Sequence, residues 1–263
     1  MTAEDVQAYV RDAMVTGTPP PSRLPDFAKW GEVERIPFRS VRKKTAERVS
    51  TAWQLAPHVT QFDRADVTGL EALRKRHAAR AEALGGKLTA TVFLLKAAVI
   101  ALKAFPEFNS SLDTQAEQLV LKRYYNIGIA VDTDRGLLVP VIRGVDGKSI
   151  FELSRELVEI AERTRQGKTS LEELQGGTFT ITNLGTIGGT GFTPILNYPE
   201  AAILGVARSR EEPVVVNGRV EPRLILPLCV SYDHRVIDGA DGARFTRMLA
   251  ASLEDPEQLL LGG

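Results

Sequence analysis

The chain has 263 residues, with 33 basic against 33 acidic side chains and 43% hydrophobic residues. That balance leaves no global basic excess for nucleic acid or an anionic membrane. The single cysteine, Cys229, excludes an intrachain disulfide, and its apolar surroundings predict a core packing role. The longest apolar stretch, Val92 to Phe105, is shorter than a bilayer span and carries Lys96 and Lys103; with no basic-then-apolar leader, a water-soluble protein is expected.

In chain order, Ala3 to Met14 has the apolar stripe of a short amphipathic helix, followed by a proline-rich, extended connection from Thr16 to Pro25. Thr68-Gly-Leu-Glu71 has the capping-box pattern of a helix running to about Leu84, before Gly85-Gly86. Thr89 to Phe105 reads as a helix apolar nearly all round, hence central, stopped by Pro106. Leu119 to Tyr125, Asn126 to Val131 and Leu137 to Ile142 read as strands. Ser149 and Glu152 cap a further helix with the stripe Ile150, Leu153, Leu157 and Ile160, and Ser170 to Glu173 cap a short one. Strands are expected at Thr178 to Thr182, Ala201 to Val206 and Leu224 to Tyr232, with a hairpin turning at Asn217-Gly218. Mixed hairpins and helices predict an α/β chain of α+β type, a mixed sheet flanked by helices.

His234 stands out because it follows an apolar strand within Ser231-Tyr-Asp-His-Arg-Val-Ile-Asp-Gly239, among Asp233, Arg235 and Asp238. A salt-bridge cluster explains the charges but not the imidazole, which suits general-base work near neutral pH; a core histidine satisfied by backbone is the alternative. Thr178 to Pro194 leaves a strand as a glycine- and threonine-rich loop. It can bring backbone close to a ligand or supply an oxyanion donor, but lacks the lysine and the helix of a phosphate cradle. His58 and His77 lie apart from any metal-ligand spacing, so no metal is expected, and no serine-hydrolase elbow occurs. Arg42, Lys43 and Arg48 read either as a solvated face or as a site for an anionic ligand's phosphates.

Asp233-His-Arg-Val-Ile-Asp-Gly239 resembles the DHRxxDG motif of the dihydrolipoamide acyltransferases, the E2 components of 2-oxo acid dehydrogenase complexes, which share a fold with chloramphenicol acetyltransferase. Val41 to Val49, Pro57 to Phe62, Phe108 to Leu112, Asn126 to Asp132, Gly136 to Ile142, Phe179 to Gly185 and Ala201 to Gly205 are similar to family blocks in the same order. The resemblance implies a catalytic domain at 28–263, a proline-rich linker at 16–27, and at 1–15 the end of a peripheral-subunit-binding domain. It implies acyl transfer between dihydrolipoamide and coenzyme A, with His234 as base, Thr182 as oxyanion donor, and Asp238 ordering the site by pairing with a cation, an arginine first among the choices. Asn109, Ser110, Asn183, Gly185, Gly188 and Gly189 are the expected substrate positions, and Arg42, Lys43 and Arg48 the expected coenzyme A contacts.

The same resemblance implies a homotrimer, His234 facing a neighbour's Thr182, that assembles into a larger core. It implies partnership with E1, E3 and lipoyl domains, the lipoyl group coming from outside this chain, and a bacterial cytoplasm or else a mitochondrial matrix. Gly188 to Glu200 looks most like acetyl-transferring members of pyruvate dehydrogenase complexes; succinyl- or branched-chain transfer, a scaffold with vestigial activity, and a small diffusible acceptor are the alternatives.

Overall fold

The structure is a computed structural model that describes residues 24–38, 41–134 and 136–261. The helix expected over Ala3 to Met14, and all but the end of the proline-rich connection, lie outside the described residues. Two units are distinguished, Met1–Phe38 and Arg39–Gly263. In the first, a single 3-10 turn at Phe27–Lys29 is capped by the Asp26 carboxylate, which accepts Ala28 N–H at 3.3 Å.

The second unit is organised around its longest strand, β9 (Arg219–Asp233). This strand pairs antiparallel with β1 (His58–Asp66), β7 (Ala202–Val206) and β8 (Arg210–Val216). β6 (Phe179–Asn183) lies parallel to β7, β4 (Ile127–Ile129) parallel to β6, and β5 (Val141–Ile142) antiparallel to β4. Among the described residues this makes a mixed sheet of order β1-β9-β7-β6-β4-β5, with β8 on the outer half of β9. β2 (Ser110–Asp113) and β3 (Gln118–Leu121) form a separate hairpin. The helices are α1 (Val41–Leu55), α2 (Thr68–Ala83), α3 (Ala90–Ala104), α4 (Ile150–Arg165), α5 (Gly239–Glu254) and α6 (Pro256–Leu261).

Strand alternation gives the sheet two different faces. Leu228, Val230 and Tyr232 of β9, Ala202 and Leu204 of β7, and Phe179 and Ile181 of β6 are buried in one cluster with Val92 to Leu102 of α3 and Phe245 and Leu249 of α5. The expected all-round apolar helix is therefore the central one. The other face carries Thr180, Thr182, Ile203, Gly205, Cys229 and Ser231, and the segment after β6 folds back over it. A Cβ on Gly205 would lie 2.8 Å from Phe192 Cζ and 3.2 Å from Pro194 Cγ. Glycine here lets Phe192 rest directly on the sheet. Gly205→Val is expected to cost about 1–3 kcal/mol through overpacking, read as a lower unfolding midpoint in denaturant; an unchanged midpoint would refute the close fit.

Local sequence signals were obeyed where the side chains were free to obey them. Ser149 and Glu152 form the full capping box of α4, whose expected stripe is buried. Asn217 and Gly218, at φ 51° and 78°, make the two-residue turn between β8 and β9. The capping box expected at Thr68 does not form. Thr68 Oγ1 instead donates to Asp66 Oδ1 and accepts Leu224 N–H at 2.8 Å, while Glu71 pairs with Arg74. A tertiary partner on β9 outcompetes the local cap. The strand expected over Leu137 to Ile142 is reduced to a Val131–Leu138 bridge and β5, because Pro140 has no N–H for a continuous ladder.

Candidate active site

β9 ends at Asp233, and a tight turn presents His234 beside it. Val236 and Ile237 donate their N–H groups to Asp233 O at 3.0 and 3.1 Å. The buried Asp233 carboxylate accepts Arg235 N–H at 3.0 Å and holds the guanidinium through Nη2 at 2.6 Å. That hydrogen bond raises the guanidinium's pKa. The pairing resolves the charged cluster: a buried carboxylate is costly unless paired, and the adjacent arginine serves it. The expected ion pair between Asp238 and an arginine is therefore not formed among the described residues. Asp238 stands exposed at the N-cap of α5, making no side-chain cap bond. His234 is exposed, its ring centred 6.0 Å from that of buried Tyr232.

Thr182 is half-buried on β6, and its hydroxyl makes no hydrogen bond among the described residues. In the register, Thr182 lies opposite Gly205 and Gly205 opposite Cys229. His234 is therefore two strands across and five residues along, a separation on the order of 15–20 Å. Within one chain Thr182 and His234 do not meet.

The remaining expected positions separate into buried and open ones. Asn109 and Ser110 have no exposed surface, so they are not substrate contacts in this structure. The Asn109 amide donates to Lys122 O and Tyr124 O, and Ser110 Oγ donates to Glu107 O, which fastens the β2–β3 hairpin. Asn183 also serves architecture: its Oδ1 accepts Gly185 N–H at 2.8 Å and its Nδ2 donates to Thr91 Oγ1 at 3.1 Å. Gly185 packs within that turn. Gly188 and Gly189 lie beyond it with no atom within 4 Å of where a Cβ would stand, Gly189 at φ 84°. Arg42, Lys43 and Arg48 are exposed on α1 and form no ion pair among the described residues.

Two polar residues at the His234 end were not legible as site residues. His58, without an evident role from sequence, has Nδ1 2.6 Å from Ala56 O and accepts Leu196 N–H on Nε2 at 3.0 Å. One acceptor and one donor thus place its proton on Nδ1. Glu200 is buried and accepts hydrogen bonds from Thr180 Oγ1 at 2.6 Å and Asn197 Nδ2 at 2.9 Å. Burial pushes its carboxyl from the usual 4.5 up to about 7, despite those bonds and the nearby Lys122 charge. A glutamate in a polar loop carries no sequence signal of such burial.

The shifted Glu200 makes stability pH-dependent. Between about 4.5 and 7 the folded chain keeps a proton that the unfolded chain has lost, so this contribution to stability falls as pH rises through that window and levels off above it. Glu200→Gln keeps partners for Thr180 and Asn197 without ionising. Its stability relative to wild type is expected to rise across the same window, by up to about 3 kcal/mol. Denaturant titrations at several pH values check this, and a pH-independent difference would refute it.

Residues 31–261 match the family described as 2-oxoacid dehydrogenases acyltransferase (catalytic domain). The chain is 50% identical over 238 residues to the dihydrolipoyllysine-residue acetyltransferase component of the pyruvate dehydrogenase complex from Haemophilus influenzae, covering 90% of this chain and 42% of the relative. It is 48% identical to the corresponding Azotobacter vinelandii component, covering 98% and 42%. The chain thus spans about half the length or less of these relatives. A structure of the cubic core of the pyruvate dehydrogenase multienzyme complex matches with TM-score 0.89 and 49% identity, covering 92% of this chain and 99% of that one. An equally similar structure is described as an investigation of one serine, one histidine and one asparagine in the catalytic mechanism of Azotobacter vinelandii dihydrolipoamide acetyltransferase. Those three residues are spaced by 52 and 4 positions, as are Thr182, His234 and Asp238. By the extent of these matches and the sheet they share, the chain belongs to the 2-oxoacid dehydrogenase acyltransferase catalytic-domain family.

Proposed function

We propose that this chain transfers an acetyl group between the thiol of dihydrolipoamide and that of coenzyme A, as the core of a pyruvate dehydrogenase complex. The observation that carries the reading is the set Thr182, His234 and Asp238, at the spacing of the three residues studied in the relative's mechanism. His234 takes the proton from the attacking thiol. A thiol and an imidazole differ by about two pKa units in water, about 2.7 kcal/mol, so one histidine serves both directions. Attack on the thioester carbon develops an oxyanion, to which the uncommitted Thr182 hydroxyl donates. Threonine keeps the hydroxyl of the relative's serine. Asp238 replaces an asparagine that cannot take a proton at neutral pH, so its role is to order the site rather than to move the proton.

The separation of Thr182 from His234 within one chain supports a site shared between copies, which suits the homotrimer, assembled into a larger core, that the resemblance implies. The exposed apolar side chains Trp53 (63%) and Ile187 (71%) also fit burial against another copy. Arg42, Lys43 and Arg48, without ion pairs among the described residues, suit coenzyme A phosphates. Lipoyl domains, E1 and E3 are the partners this activity requires, and the lipoyl group is theirs to supply. No helix among the described residues is long and apolar enough to cross a membrane, which fits a cytoplasmic complex. The reading is tested by acetyl transfer from acetyl-CoA to free dihydrolipoamide, followed by thioester absorbance. Saturable transfer is expected, and its absence from a folded, assembled preparation would reject the proposal.

A further inference from the structure

The turn that presents His234 is gripped by two backbone carbonyls. Pro57 O accepts His234 N–H at 2.9 Å from the β1 side, and Ala201 O accepts Asp233 N–H at 2.9 Å from the β7 side. Next to each carbonyl is a side chain that acyl transfer does not use, His58 after Pro57 and Glu200 before Ala201. The Glu200 carboxyl ties Asn197 to Thr180 of β6. Ala201 N–H donates to Ser110 O, the same oxygen that Lys122 Nζ holds at 3.2 Å. The surroundings are shaped around the carboxyl: a Cβ on Gly177 would lie 2.9 Å from Glu200 Oε1.

We propose that Glu200 is a positioning residue for His234, fixing the Asn197–Ala201 segment whose last carbonyl holds the Asp233–His234 turn. This inference rests on His234 being the base. Lys122 is the one charged group that acts on Glu200 among the described residues. Asp233 and Arg235 neutralise each other across the turn, and His58 is the titratable group on the other flank. When Glu200 ionises, its carboxylate draws Lys122 away from Ser110 O, the carbonyl that anchors Ala201. Loss of one proton thereby loosens the grip on His234.

The test compares kcat and KM against pH for wild type, Glu200→Gln and Glu200→Ala in the full chain. Amide hydrogen exchange over residues 231–238 is followed in parallel, with His234→Ala as a control. Glu200→Ala is expected to lower kcat about ten- to hundred-fold with little change in KM, the signature of misplaced chemistry, and to speed exchange at the turn. Glu200→Gln should restore kcat and lack the decline expected of wild type as Glu200 ionises near pH 7. Wild-type kcat in Glu200→Ala, or superimposable profiles for wild type and Glu200→Gln, would overturn the proposal. Should Glu200→Ala not fold, the comparison of wild type with Glu200→Gln still decides. An active His234→Ala variant would instead reject the underlying reading, while the exchange rates would still report whether Glu200 holds the turn.

Discussion

Replacing His234 with alanine is expected to lower kcat for acetyl transfer by about 10²–10⁴-fold, with the KM for coenzyme A changed only a few-fold. The attacking thiol loses its proton acceptor, and no other histidine replaces it: His58 has both ring nitrogens engaged, and His77 lies on α2. The fold should be unaffected, because the His234 ring is exposed and the turn is held by backbone N–H groups that alanine retains. Rate and unfolding midpoint are therefore measured on the same preparation. A large loss of rate with an unchanged midpoint supports a chemical role, whereas a wild-type rate removes His234 from the mechanism.

Mixing two inactive variants should restore activity. Thr182→Val alone removes the oxyanion donor, an expected loss of about 10²–10³-fold. If His234 of one copy works with Thr182 of the next, a ring assembled at random from equal amounts of His234→Ala and Thr182→Val chains regains intact sites. Each such site needs the right chain at two places, so about a quarter of wild-type activity is expected. Coexpression of the two variants with different tags, then purification through both, provides the mixed particles. If base and donor came from one chain, every mixed site would lack one of them and no activity would return. The sheet register favours the shared site, since the two side chains lie two strands and five residues apart.

Most of the secondary structure was legible in the sequence, because it rests on short-range physics. The stripe of α4 and its capping box, the all-round apolar α3 and the Asn217-Gly218 turn need only neighbours a few residues away. Departures arose where a distant group offered a better partner, as when the Thr68 hydroxyl accepted Leu224 N–H on β9 instead of capping its own helix. The sequence by itself also singled out His234 as the candidate base, through an imidazole set among charges at a strand end, whereas Thr182 became the candidate oxyanion donor only through the family resemblance. What only the tertiary structure decided is where the other polar groups stand. It buried Asn109, Ser110 and Glu200, gave Arg235 to Asp233 rather than Asp238, and used the two nitrogens of His58 to clasp the loop. The physical reason is that hydrogen bonding and desolvation depend on which groups meet across strands far apart in sequence. No local pattern encodes whether a glutamate after Tyr-Pro will face water or lie buried with its pKa pushed up by desolvation.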